Sequence, residues 1–252
     1  MERFPILFVG AGPGDPELIT VKGQRTLEQA DLVFYAGSLV SNAVLKWTSP
    51  NAKCIDTAPM TLEAIMRGMV EGYEVGKRVV RLHSGDPSIY GAINEQIALL
   101  KEKGIAYGII PGVTSAVAAA ATLGCELTVP GASQTVILTR LGGRTPVPEK
   151  EGLEALAQHR SSMAIYLSVH RIQEICATLA QIYGEDAEAV VAYRISLPDE
   201  QLLRGTLKTL PEIVRKAGIS RQALILIGPF LDSAPGARSL LYDSSFSHGY
   251  RP

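Results

Sequence analysis

Hydrophobic positions follow two alternating patterns along this chain. Short runs of β-branched and aliphatic residues have the length of strands, and between them apolar residues return every three or four positions, as on one face of a helix. The strand-sized runs are 6–9, 32–35, 79–82, 109–110, 135–138, 164–167, 190–193 and 224–227. This alternation is typical of an α/β protein whose sheet is mostly parallel.

The clearest helical stretch follows Thr61, whose side chain is suited to cap a helix N-terminus. Its one-sided apolar stripe is Leu62, Ile65, Met66, Met69 and Val70, and we interpret this stripe as core. Two further helices are predicted at 93–103 and 172–182, each followed by a glycine, Gly104 or Gly184, at the position that favours left-handed backbone.

The alternation changes character after residue 121. Glycine and proline interrupt the pattern at 131–133 and 142–148, and the runs 190–193 and 201–206 are spaced as a hairpin. We therefore place a boundary near residues 115–130.

This boundary divides the chain into three predicted parts. They are an N-terminal domain of residues 1–120, a C-terminal domain of residues 121–231 and a peripheral tail of residues 232–252, which mixes serine, glycine and proline with tyrosine and histidine.

Composition narrows the classes of partner. The chain has 252 residues, of which 46% are hydrophobic and 19% charged, and its net charge of −1 lacks the basic excess of a nucleic-acid-binding protein. Cys54, Cys125 and Cys176 are too widely spaced for a metal site and odd in number, so we expect buried, reduced thiols, no metal and a cytoplasmic protein. The apolar run 6–9 is too short for the core of a signal peptide.

One uncharged segment, residues 107–125, is long enough to raise a membrane-spanning alternative. Gly108, Pro111 and Gly112 interrupt it early, and its second half is mostly alanine. We therefore predict a strand, a turn and a helix of small residues, and no membrane span.

The first predicted strand runs into a glycine-rich loop, Gly10-Ala11-Gly12-Pro13-Gly14-Asp15. Such a loop resembles a dinucleotide fingerprint, and Asp31 lies about 20 residues on, where the ribose-binding acid of that motif stands. However, Asp15 replaces the third glycine, and Pro13 removes a backbone N–H from the turn. Taken alone, the loop is equally compatible with a ligand site and with a purely structural turn.

Two more strands end in loops of similar composition, His83 to Gly91 and Pro111 to Ser115. Ligands of α/β proteins bind at the carboxyl ends of strands, so three such loops on one edge favour a site. Asp86 is suited to accept hydrogen bonds from ligand hydroxyls, or else to cap the helix near Ile93 or close the Asp-Pro turn.

Together these loops resemble a known family. The loop 10–15 with the following 18–23, the Gly85-Asp86-Pro87 loop and the Pro111-Gly112 loop resemble the tetrapyrrole (corrin/porphyrin) methylases. The resemblance implies two α/β domains with a cofactor in the interdomain cleft, a homodimer, and methyl transfer from S-adenosylmethionine to a ring carbon, which leaves S-adenosylhomocysteine. By position, the implied cofactor contacts are Pro13, Ser84, Gly85, Asp86, Ile89, Thr114, Ser115, Leu167, Ile195 and Ala223.

Residues 82–93 strengthen this resemblance. Residues 133–140 with 143–148, and 193–196 with 198–200, narrow it to the branch of the family that acts on corrin precursors, although Leu197 stands where that branch is expected to have an aromatic residue. The implied substrate is a tetrapyrrole with many carboxylates, which arginine pairs with well. We therefore take Arg140, Arg144 and Arg194 as candidates for binding the substrate.

His83, Tyr193 and Glu200 are the candidates for accepting a proton. Each also has a structural interpretation, respectively as a loop histidine, a strand core residue and a solvated hairpin residue. Two alternatives stay open: a different tetrapyrrole acceptor, and a nicotinamide-dependent reductase.

Overall fold

The computed structural model describes residues 2–143, 145–232, 246–247 and 249. Within it the chain forms two compact units. The first contains the residues up to Ala118 together with Ile195–Asp199, and the second contains Ala119–Arg194 and the residues from Glu200 onward. The sequence pattern did not predict that a segment so late in the chain joins the first unit. Most of the predicted tail 232–252 lies outside the described residues.

The first unit contains a sheet of five parallel strands in the order β3-β2-β4-β1-β5. The strands are β1 (Ile6–Gly10), β2 (Leu32–Tyr35), β3 (Lys53–Asp56), β4 (Val79–His83) and β5 (Tyr107–Ile110). The prediction of a parallel sheet is confirmed here. Strand β3 was missed because it lies at the sheet edge and most of its side chains are exposed, so its sequence carries no apolar run.

Four helices belong to this part of the chain: α1 (Val21–Glu28), α2 (Leu62–Glu74), α3 (Ile93–Glu102) and α4 (Ser115–Leu123). The Thr61 hydroxyl caps α2 by accepting a hydrogen bond from Ala64 N at 3.3 Å, as predicted. The stripe of α2 is core, because Met66 and Met69 are buried in one apolar cluster with Phe8 and Phe34 of the sheet.

Residues 107–125, which raised the possibility of a membrane span, form strand β5 and helix α4. They form the strand, turn and small-residue helix that the sequence predicts. Across the described part of the chain, every helix is too short or too polar to cross a membrane.

The second unit contains a mixed five-stranded sheet in the order β6-β7-β10-β8-β9. Its strands are β6 (Val136–Arg140), β7 (Ser162–Tyr166), β8 (Glu188–Tyr193), β9 (Gln201–Thr206) and β10 (Ala223–Ile227). The hairpin of β8 and β9 is confirmed. A mostly parallel arrangement is wrong here, because only β6 and β7 pair in parallel and β10 enters between β7 and β8 in the antiparallel sense.

Helices α5 (Leu153–Ala157), α6 (Ile172–Tyr183) and α7 (Leu210–Lys216) belong to this unit. Its apolar core includes Ile175 and Leu179 of α6 and Val191 and Ile225 of the sheet. Gly184 follows α6 with a φ of 94°, which supports the predicted helix end.

The three cysteines differ in environment. Cys176 is buried in the core of the second unit, and this burial raises the pKa of its thiol to about 12. Cys125 is half-buried and Cys54 is exposed, so the prediction of buried thiols is correct only for Cys176. Cys54 lies on the edge strand β3, which the sequence pattern did not predict and whose side chains are mostly exposed.

Candidate active site

The loops that follow β1, β4 and β5 lie against one another at the carboxyl edge of the first sheet. Ala11 N donates a hydrogen bond to His83 O at 2.7 Å, and Gly85 N donates to Gly12 O at 2.7 Å. Gly12 N returns a bond to Gly85 O at 3.2 Å. The grouping of these loops on one edge, which the sequence predicts, is thus confirmed by direct contacts between their backbones.

Glycine is required where these backbones meet. A Cβ atom on Gly112 would lie 2.1 Å from Gly85 O and 2.8 Å from Gly10 Cα. A Cβ atom on Gly10 would lie 2.6 Å from Gly112 Cα. Backbone atoms cannot move aside as a flexible side chain can, so any larger residue would force the loops apart.

Asp86 links two of these loops. Its carboxylate accepts hydrogen bonds from Ser88 N at 2.8 Å, from the Ser88 hydroxyl, and from Gly112 N at 2.8 Å. Partial burial raises the pKa of Asp86, but the bonds from Ser88 and Gly112 outweigh it and leave the pKa below its usual value. Asp86 therefore closes its own turn and holds the β5 loop, and it does not cap α3, whose N-cap is Ala92.

Replacing Asp86 with asparagine is expected to lower the free energy of unfolding by about 1–2 kcal/mol, because the charge-assisted bond to Gly112 N is lost or weakened. The effect should be present above the carboxyl's unfolded pKa of about 4 and disappear as the pH falls through the lower folded pKa. Urea unfolding at pH 7 and pH 3 measures it.

Asp56→Asn is the matched control for this change. Asp56 accepts hydrogen bonds from Gly37 N and Ala58 N, both at 2.9 Å, in loops that carry none of the predicted cofactor residues. Both variants should lose stability, but only Asp86→Asn should weaken binding of S-adenosylhomocysteine. Equal affinity in the two variants would contradict the placement of Asp86 in the site.

The segment Ile195–Asp199 contacts the first glycine-rich loop. The Ser196 hydroxyl accepts a hydrogen bond from Asp15 N at 2.9 Å, and the Leu197 side chain fills the space in which a Cβ atom of Gly14 would stand. Ile195 is buried. Ser196 has a φ of 65°, a conformation that costs a non-glycine residue free energy and is maintained by such tertiary contacts.

The second unit also gathers its predicted residues at one edge of its sheet. Strand pairing places Arg140 beside Tyr166, so the next residue, Leu167, lies at the same edge. Ala223 pairs with Tyr193 at the start of β10, and Tyr193 pairs with Gln201, which follows Glu200. In this unit the residues at the edge are Arg140, Leu167, Ala223, Tyr193, Arg194 and Glu200.

Leu167 is unusual within this group. It has a φ of 55°, and 62% of its surface is exposed although it is a large apolar residue. Strained and exposed residues of this kind are common where a protein contacts a ligand.

The predicted substrate arginines differ in what they contact. The Arg140 guanidinium donates to the carbonyls of Leu141, Thr145 and Pro146 at 3.2, 3.0 and 3.0 Å. Its donors thus hold its own loop, which sequence alone did not indicate. The Arg194 guanidinium donates to Gln222 Oε1 at 2.8 Å and lies 6.0 Å from the centre of the Tyr193 ring. Arg144 lies outside the described residues.

His83 is a core histidine. It is 7% exposed, its ring centroid lies 6.0 Å from that of Phe8, and its Nε2 has no hydrogen-bond partner among the described residues. Burial and the positive charge of Arg81 lower its pKa from 6.5 to about 3. This environment supports the structural interpretation of His83 and leaves Tyr193 and Glu200, both half-buried, as the candidates for accepting a proton.

The chemistry of the predicted cofactor residues suits an adenosyl group with a charged amino acid attached. In the first unit the set combines one carboxylate, three hydroxyls and two aliphatic side chains on the loops at the sheet edge and the 195–199 segment. These residues are Asp86, Ser84, Thr114, Ser115, Ile89 and Ile195. Hydroxyls of a sugar, an adenine ring and an ammonium–carboxylate group require this mixture of polar and apolar partners.

Each of the two sheets has predicted site residues at one edge, and α/β proteins commonly bind small molecules at such an edge. Residues 5–211 match the family model of the tetrapyrrole (corrin/porphyrin) methylases, and the chain belongs to that family. Curated relatives include a cobalt-precorrin-4 C(11)-methyltransferase from Methanocaldococcus jannaschii, 51% identical over 98% of this chain and 95% of the relative. A precorrin-4 C(11)-methyltransferase from Pseudomonas aeruginosa is 47% identical over 98% of both chains.

Solved structures show the same similarity. The X-ray structure of a cobalt-precorrin-4 methyltransferase superposes with a TM-score of 0.87 at 48% identity, covering 90% of this chain and 95% of the other. Uroporphyrin-III C-methyltransferase from Thermus thermophilus, in complex with S-adenosylhomocysteine, has a TM-score of 0.75 at 27% identity, covering 90% of this chain and 98% of the other. The predicted fold class is confirmed.

Proposed function

We propose that this protein is an S-adenosylmethionine-dependent methyltransferase that adds a methyl group to C11 of precorrin-4 and forms precorrin-5. The observation that carries the proposal is the identity of 47% to 51%, over 98% of this chain, with relatives named as C(11)-methyltransferases of precorrin-4 or of cobalt-precorrin-4. The position of the predicted cofactor residues also supports the proposal, since most of them lie at or just beyond strand ends at one edge of each sheet.

Bound S-adenosylmethionine supplies a methyl group on a positively charged sulfur, which is a good leaving group. The chain's own residues then have to align the two reactants and exclude water. We assign polar contacts with the cofactor to Asp86, Ser84, Thr114 and Ser115. The backbone contacts among the loops after β1, β4 and β5 keep these side chains in a fixed arrangement before the cofactor binds.

The acceptor carries several carboxylates, and we assign their recognition to the loop after β6 and to Arg194. Transfer of the methyl group from the sulfonium leaves the tetrapyrrole with one additional positive charge, and release of a proton from the ring system removes that charge. The pairing of Tyr193 with Gln201 places Tyr193 and Glu200 at the same end of the β8–β9 hairpin, and these two residues are the candidates for accepting the proton. Substituting each in turn and comparing kcat separates them.

Cobalt-precorrin-4 is a second candidate acceptor, because relatives named for it are 51% and 47% identical to this chain. Incubation with S-adenosylmethionine and equal amounts of precorrin-4, cobalt-precorrin-4 and uroporphyrinogen III tests the choice. We expect mass spectrometry to show one added methyl on a precorrin-4 form and none on uroporphyrinogen III. Methylation of uroporphyrinogen III alone would contradict the proposal.

The reductase alternative is tested by calorimetry. S-adenosylhomocysteine should bind and NADPH should not, because Pro13 and Asp15 break the dinucleotide fingerprint. Binding of NADPH without S-adenosylhomocysteine would overturn the assignment of the cofactor. We also propose a homodimer, on the basis of the family resemblance, and light scattering of the purified protein tests this oligomeric state. The widely spaced, odd-numbered cysteines support our proposal of a cytoplasmic location.

A further inference from the structure

The loop after β6, whose described residues are 141–143 and 145–148, is held by two guanidinium groups. Arg140 donates to the carbonyls of Leu141, Thr145 and Pro146. Arg171, at the end of the short helical turn that precedes α6, donates to the carbonyl of Gly142. Four carbonyls of one loop thus accept bonds from two positively charged side chains.

Arg171 is itself fixed from its other side. Its Nε donates to Glu174 Oε2 at 2.7 Å, and a second nitrogen pairs with Glu174 Oε1. A partly exposed ion pair of this kind adds little stability. Its effect is to orient the planar guanidinium, so that the remaining nitrogen points at Gly142 O.

The same loop is joined to the turn that carries Leu167. Leu141 N donates to the Ser168 hydroxyl at 2.9 Å, and that hydroxyl donates to Tyr166 O at 2.7 Å. Ser168 is 1% exposed, so this connection is shielded from water and persists. The loop after β6 and the predicted cofactor residue Leu167 therefore belong to one hydrogen-bonded assembly.

We propose that Arg171 is a positioning residue for the acidic substrate, and this rests on the proposed function. It holds the loop after β6 in the shape in which the loop recognises the carboxylates of the tetrapyrrole. Arg171 does this through Gly142 without touching the substrate. The position carries no recognisable motif, and the sequence alone did not mark it.

Arg171→Ala is expected to raise KM for the tetrapyrrole about tenfold, because the loop loses its outer anchor, while kcat and the affinity for S-adenosylhomocysteine change little. Arg171→Lys should give a smaller rise in KM than Arg171→Ala, because the lysine ammonium can bond to one acceptor but lacks the planar guanidinium that bonds to Gly142 and Glu174 together. Glu174→Gln should also give a smaller rise in KM. It removes the ion pair that orients the Arg171 guanidinium, but Arg171 can still donate to Gly142 O.

Arg215→Ala is the matched control. Arg215 forms the same kind of pair with Glu212 three residues away, at 2.7 and 2.6 Å, and none of its described hydrogen bonds reaches a loop carbonyl. It should leave KM unchanged.

If the unsubstituted protein is active and Arg171→Ala leaves KM for the tetrapyrrole unchanged, the role of Arg171 is overturned and the proposed function stands. Parallel losses of melting temperature, kcat and cofactor affinity would also overturn it, by showing a purely structural role. Failure of the unsubstituted protein to methylate any tetrapyrrole would overturn the proposed function and this inference with it.

Discussion

Replacing Gly112 with alanine is expected to lower the free energy of unfolding by about 3 kcal/mol or more and to weaken binding of S-adenosylhomocysteine at least about tenfold. The added Cβ atom would lie 2.1 Å from Gly85 O and 2.8 Å from Gly10 Cα. Relief of this overlap has to separate the loops after β1, β4 and β5, and it would also pull Gly112 N from Asp86. Urea unfolding and calorimetry measure the two effects.

Gly104→Ala separates this steric effect from the ordinary cost of removing a glycine. Gly104 has a φ of 64°, and a Cβ atom there would have no neighbour within 4 Å. The control should cost ~1 kcal/mol for its left-handed backbone and leave cofactor affinity unchanged. If Gly112→Ala behaved no differently from Gly104→Ala, the close approach of the three loops would be contradicted.

The second large effect is a dependence of stability on pH that arises from His83. Its folded pKa of about 3 lies below the usual 6.5, so the unfolded chain binds a proton that the folded chain does not. Stability from this group is therefore complete above pH 6.5 and falls by about 1.4 kcal/mol for each pH unit below it. Between pH 6.5 and pH 4.5 the loss should reach roughly 2.3 kcal/mol.

His83→Gln should remove this component, because glutamine has a similar size and does not titrate. The test is the difference in unfolding free energy between variant and unsubstituted protein, measured at several pH values, so that contributions from other groups cancel. His159→Gln serves as the control, since His159 is exposed. If His83→Gln kept the same slope as the unsubstituted protein, the buried neutral imidazole would be ruled out.

The sequence predicted those elements whose local pattern matches their environment. Helix α2 was recognisable because a capping residue, Thr61, precedes a stripe that is buried on one side. Strand β3 was not, because its residues are mostly exposed at a sheet edge. The antiparallel course of β10 was also missed, since strand direction depends on long-range pairing that residue patterns do not encode.

Some parts of the candidate site were likewise predictable from the sequence and others were not. The three strand-end loops were predictable because glycine, proline and aspartate cluster after apolar runs. The contact of Ser196 with Asp15 was not, because it joins residues 181 positions apart. Arg140 was taken as a substrate residue from its type and position, and only the coordinates show that its guanidinium holds its own loop.

The most direct test of the proposed function is methyl transfer from S-adenosylmethionine that is ¹³C-labelled in its methyl group to precorrin-4. The account predicts a single enriched methyl signal, which NMR correlation places on C11, together with formation of S-adenosylhomocysteine. Transfer to any other ring carbon, or no transfer by protein that binds S-adenosylhomocysteine, would contradict it.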